Sequence, residues 1–136
     1  MPHQNQITIE LPMWPKELWP NTRVHWRVKA RATKKYRESG YLAAIAARNL
    51  RLRDETLNLP WRSATVQSYC YFATRRRRDP DNCLASLKGG FDGLVSGGIL
   101  VDDDLLTHFL KIEWDRDNPR VVITLTQQEI EEEEVT

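Results

Sequence analysis

Residues 65–104 read TVQSYCYFATRRRRDPDNCLASLKGGFDGLVSGGILVDDD. Thr65 to Thr74 is rich in β-branched and aromatic residues, which predicts a strand ending in the four arginines Arg75 to Arg78. Asp79-Pro80 predicts a helix start, since Asp caps free amides and Pro is pre-set for the first helical position. Leu84, Leu87, Phe91, Leu94 and Val95 then share one apolar face, and Gly97-Gly98 predicts the end of that helix. Downstream, Leu106 to Trp114 and Arg120 to Thr126 read as two strands joined by a turn over residues 115–119. Upstream, Gln6 to Leu11 alternates polar and apolar residues as a strand does, and Pro12, Pro15 and Pro20 end regular structure. A second helix is predicted over about Lys34 to Arg53, where Tyr41, Leu42, Ile45, Ala46 and Leu50 recur at helical spacing. Before it, Asn21 to Ala32 is basic and aromatic without clean periodicity and reads as a substrate-facing segment running into the helix. The order β-α-β-α-β-β predicts an α+β domain with one mixed sheet and two main helices packed against it.

With 136 residues, 40% hydrophobic and 29% charged, the chain fits one compact domain, expected over residues 1–128. Residues 129–136 hold five glutamates and read as a solvated, acidic tail. Cys70 and Cys83 lack CxxC spacing and clustered histidines, which argues against a disulfide framework and a zinc site. They read as buried small hydrophobes in a reducing compartment. No apolar run nears membrane-spanning length and the N-terminus lacks signal-peptide character, so a cytoplasmic protein with no membrane partner is expected.

The net charge of +1 conceals an uneven distribution. Without the five terminal glutamates it rises to +6, and residues 21–78 carry 15 Lys and Arg against Glu38, Asp54 and Glu55. That block is a polyanion footprint in which Asn21, Arg23, Arg27, Lys29, Arg31 and Arg75, Arg76, Arg77 and Arg78 are the candidate DNA-binding residues. Carboxylates beside such a block repel phosphate unless divalent cations lie between them, which points to a metal-dependent nuclease. Asp79 and Asp81 flank a proline at the strand-to-helix junction, and Asp102, Asp103 and Asp104 arrive from a second segment. The chain is expected to fold back so that the two acidic groups share Mg²⁺, a hard ion that activates water and relieves phosphate charge. Lys88, seven positions after Asp81, falls within roughly 20° of the same helix face.

Each residue has a plainer reading: Asp79 as an N-cap, Asp102 to Asp104 as an exposed turn, Lys88 as a solvated helix residue. An EF-hand is excluded, since counting from Asp79 its Gly and Glu positions hold Leu84 and Gly90. Lys88-Gly-Gly is not a phosphate-binding P-loop, because the lysine precedes the glycines. Gly89 and Gly90 inside a helix each cost about 1 kcal/mol against alanine, so another backbone, a second subunit or nucleic acid is expected close by. Trp14, Trp19 and Trp26 are read as core or interface anchors in preference to platforms for bases.

Arg78-Asp-Pro-Asp-Asn82, Lys88, Phe91-Asp-Gly-Leu94 and Asp102-Asp103 after a glycine-containing turn resemble the RusA family of Holliday-junction resolvases, small endonucleases often carried by phages and prophages. Trp19-Pro-Asn21 and His25-Trp-Arg27 are similar to that family's N-terminal segment. The resemblance implies a homodimeric α+β fold in a bacterial host cell, Mg²⁺ dependence with Mn²⁺ as a substitute, and paired nicks at a four-way junction. It puts catalytic and metal-binding roles on Asp79, Asp81 and Asp103, and a catalytic one on Lys88. One departure is visible: the family's lysine stands four residues after the second Asp, where this chain has Ala85. A dimer also follows from symmetry, since two-fold cutting is simplest with two-fold-related sites. The alternatives are a nuclease of flaps or forks, a non-catalytic branched-DNA-binding module, and a regulatory protein whose acidic tail imitates DNA.

Overall fold

The computed structural model describes residues 5–50, 57–102 and 104–128. Its order is β1 (Gln6–Pro12), a short 3₁₀ turn at Lys16–Leu18, α1 (Trp26–Leu50), β2 (Ala64–Phe72), α2 (Pro80–Ser96), β3 (Leu106–Trp114) and β4 (Arg120–Gln127). This is an α+β arrangement with one mixed four-stranded sheet and two long helices. Period-two alternation builds its core. Ile7, Ile9 and Leu11 of β1, Val66 and Cys70 of β2, and Val121, Ile123 and Leu125 of β4 are buried, while their sequence neighbours are half-buried or exposed.

The sheet order is β1-β4-β2-β3, with β2 antiparallel to β4 and parallel to β3. β3 and β4, expected to be joined by a turn, are consecutive in the chain but not neighbours, because β2 lies between them. A turn motif fixes the reversal of the chain and leaves open which strand fills the gap. The connection is held by Arg120, whose Nη1 donates to Asp115 Oδ2 at 2.8 Å and whose Nε lies 3.1 Å from Glu10 Oε1. This hydrogen bond comes first among the causes that hold the Asp115 carboxyl below its ordinary pKa, and the backbone N–H groups of Asp117 and Asn118 add to it.

α1 begins at Trp26, eight residues before the predicted start, because its first two turns bury little. Trp26 is 68% exposed and Val28 38%, so no apolar stripe marks that part of the helix in sequence. The expected end at Arg53 lies outside the described residues. Farther along, Tyr36, Gly40 and Ala44 recur at i, i+4 and i+8 and form the buried seam against α2. A Cβ on Gly40 would stand 2.3 Å from the carbonyl oxygen of Gly90, and one on Gly93 2.2 Å from that of Arg37. Close approach of another backbone therefore accounts for Gly40 and Gly93, whereas a Cβ on Gly90 would meet the Leu11 and Tyr36 side chains at 3.0 and 3.1 Å and one on Gly89 nothing nearer than 3.4 Å. Both thiols are buried and free, as expected; burial foremost pushes Cys70 up to about 12 and Cys83 to about 11. No described helix is long and apolar enough to cross a membrane.

Candidate nucleic-acid interface and acidic site

Asp79 caps α2: its Oδ1 accepts from the Asp81 N–H at 2.8 Å, with Pro80 in the first helical turn. The cap consumes one carboxylate oxygen and leaves Oδ2 available. Asp79 and Asp81 are both exposed. Asp81 and Lys88 line one pocket of about 410 Å³ with Leu84, Ala85, Phe91 and His108. Their spacing thus places them on one face of α2 as the helical geometry requires, and Ala85 faces the same space. His108 packs tilted against Phe91, with ring centroids 5.0 Å apart.

The arginine block divides in two. Arg78 turns back on its own loop: Nη1 donates to Thr74 O at 2.9 Å and Arg76 O at 3.1 Å, and Nη2 to Thr74 Oγ1 at 3.1 Å. Its guanidinium sits 3.8 Å from the Phe72 ring centroid. Burial, and then the like charge of Arg76, lower its pKa from the ordinary value. Arg75 likewise lies over Trp114, 4.4 Å from the ring centroid. Arg76 and Arg77 are exposed and form no ion pair among the described residues. They line a second pocket of about 440 Å³ with Met13, Trp19, Phe72, Arg78, Asp79 and Asn82. Trp14, Trp19 and Phe72 back it as a ring cluster with centroid separations of 5.1 to 6.1 Å. Ser86 draws the Trp19 segment to α2, its Oγ lying 3.1 Å from Leu18 O.

Of the remaining basic candidates, Asn21, Arg23, Arg27 and Arg31 are exposed and Lys29 is half-buried. Arg27 reaches over the exposed Trp26 at 5.3 Å, and His25 stacks on the same indole. Arg31 borders a further pocket with Lys34, Lys35, Glu17 and Glu38. Arg48 is spent inside the fold, donating to Gly97 O at 3.2 Å at the end of α2.

The second acidic group stands elsewhere. Parallel register sets Leu106 beside Ala64 and Trp114 beside Phe72. The arginine loop and Asp79 lie at the Phe72 end of this strand pair, whereas Asp102 and Asp104 precede β3 at the Ala64 end. Eight residues of strand separate the two ends, roughly 26 Å at about 3.3 Å per residue. α2 thus carries the chain along the sheet between Asp79, at its start, and Asp102 and Asp104, which follow its end. Asp103 itself lies outside the described residues. Among the described residues no three His, Cys, Asp or Glu side chains gather as a metal site.

Sequence reasoning gave no role at this site to Met13, Phe72 or His108, which reach it only through tertiary packing.

No protein-family model matches the chain. It is similar to an uncharacterized protein of Xylella fastidiosa (strain Temecula1 / ATCC 700964), 36% identical over 120 residues that cover 88% of this chain and 75% of that protein.

Proposed function

This chain belongs to the family of that Xylella fastidiosa protein, and we propose that it is a structure-selective endodeoxyribonuclease that resolves four-way DNA junctions, as its resemblance to RusA resolvases implies. One observation carries the reading. Exposed Asp79 lines the arginine cleft and exposed Asp81 lines the neighbouring pocket with Lys88, yet no ion pair among the described residues joins either carboxylate to Arg76 or Arg77. Opposite charges held side by side without neutralising each other suit a ligand that takes both, and a phosphodiester with a divalent cation is such a ligand.

Asp79 through Oδ2 and Asp81 through both oxygens offer the hard donors that Mg²⁺ prefers. Bound there, Mg²⁺ or Mn²⁺ supplies an activated water and relieves charge on the non-bridging oxygens. Arg76 and Arg77 hold the neighbouring phosphates, Arg78 fixes the loop that presents them, and Lys88 extends the positive charge along the Asp81 face. The third carboxylate, Asp103, comes from a second copy. Among the described residues β3 is the outer strand of the sheet, with β2 on one side of it. A two-fold axis setting it antiparallel to its copy lays the start of each β3 against the end of the other, and so one acidic group against its complement.

The test compares cleavage of a four-way junction, a flap and a linear duplex by wild type and Asp81→Asn. The expected result is Mg²⁺-dependent cutting of the junction, lost in Asp81→Asn with junction affinity unchanged or raised. Junction binding without cutting in Mg²⁺ or Mn²⁺ makes the protein a binding module, and preferred cutting of the flap makes it a flap nuclease.

A further inference from the structure

The cleft beside Asp79 has a chemistry that phosphate contacts alone do not require. Its floor is aromatic, its rim is cationic, and it carries the amide of Asn82. At about 440 Å³ it lies within the roughly 300–1,000 Å³ typical of small-molecule sites. Trp19 is half-buried and held on two sides, stacked on Phe72 at 24° and met edge-on by Trp14. A ring fixed in this way gives up little conformational freedom when a second flat ring lies against it. Phe72 is itself covered by Arg78, so Trp19 is the platform that lines open space.

We propose that this cleft takes one unpaired nucleotide of the DNA strand, its base against Trp19 and its phosphates on Arg76 and Arg77. The proposal deepens the DNA reading above and rests on it. Duplex DNA keeps its bases stacked and does not fill the cleft, whereas a strand opened at a branch does, at the cost of a few kcal/mol for unstacking. Asn82, in the first turn of α2, stands where a base edge meets hydrogen-bonding groups. Asp79 borders the same cleft, so a nucleotide seated there sets the next phosphate beside the carboxylates.

The experiment uses a short single-stranded oligonucleotide carrying 2-aminopurine, without divalent metal, against wild type, Trp19→Phe and Trp19→Ala. Stacking on the indole quenches the 2-aminopurine at saturation in wild type. Trp19→Ala is expected to lose about tenfold or more in affinity, while Trp19→Phe keeps most of it. Unchanged 2-aminopurine emission at saturation in wild type overturns the proposal whether or not the variants fold. So does single-strand affinity in a folded Trp19→Ala equal to that of wild type. Binding here needs neither metal nor cleavage, so the two readings fail separately. A protein that stacks the base on Trp19 yet never cuts keeps the pocket and loses the nuclease. One that cuts junctions with emission unchanged keeps the nuclease and loses the pocket.

Discussion

At the scale of the residue, four consecutive arginines have two occupations. In sequence they are identical, and the structure separates them by what each guanidinium touches. Arg78 is bonded to Thr74 and to the Arg76 carbonyl and stacked on Phe72, while Arg76 and Arg77 are exposed. Arg78→Ala therefore acts on the fold: losing the stack and the loop hydrogen bonds costs about 1 kcal/mol, or roughly 4 °C in Tm by thermal denaturation. Arg76→Ala and Arg77→Ala leave Tm in place and each lower the salt slope of DNA binding by about 1. Equal Tm losses in all three variants would refute this division. The sequence made the charge legible but not its allocation, since the partners Thr74 and Phe72 are placed by the turn and the ring cluster. Asp79 shows the converse, for the plain reading as an N-cap and the exposure that a metal ligand needs both hold for one carboxylate.

At the scale of the element, α1 and α2 meet through glycines whose function depends on what stands opposite. Gly40→Ala and Gly93→Ala each drive a Cβ into backbone at 2.3 and 2.2 Å, which no rotamer change relieves. Each is expected to lose about 3 kcal/mol or more in equilibrium urea unfolding, as the helices must separate. Gly89→Ala has room at 3.4 Å and gains helix propensity, so it stays within about 1 kcal/mol of wild type on the stabilising side. The same contrast marks the limit of sequence reading. Gly89 and Gly90 both looked anomalous inside a helix, but only the packing of the Leu11 and Tyr36 side chains over Gly90 distinguishes them. The early start of α1 escaped notice for a related reason: periodicity records burial, and its first two turns bury little. The turn between β3 and β4 adds a pH dependence. With the folded Asp115 pKa lowered chiefly by the Arg120 hydrogen bond, its stabilisation is present above the unfolded value of about 3.9 and lost as pH falls through the folded one. In urea unfolding, wild type should thus exceed Asp115→Asn at pH 7, with the gap closing towards pH 3.

At the scale of the whole molecule, element types, their order and the α+β class were legible because each rests on local chemistry: alternation, a capping Asp-Pro, a closing Gly-Gly. Strand order was not, and the parallel β2-α2-β3 crossover sets Asp79 and Asp104 beyond opposite ends of α2. A parallel β2-α2-β3 unit sends its helix from one end of the sheet to the other, so residues flanking α2 in sequence are held apart by its length. The proposed dimer converts that separation into a requirement for two chains, and subunit mixing tests it. Asp81→Asn and Asp103→Asn homodimers are each expected to be inactive on a four-way junction. In a mixed dimer with sites shared between chains, one site receives both substitutions and the other receives neither, so cutting returns. With sites confined to one chain, every site in the mixed dimer carries one substitution, and cutting stays absent. Statistical exchange makes half of an equimolar mixture heterodimer, and each heterodimer has one intact site of two. Recovery should therefore approach a quarter of wild-type single-strand nicking while paired nicks stay absent. Unrestored activity after exchange verified by mass spectrometry would place the complete acidic site within a single chain and remove the argument for the β3 two-fold.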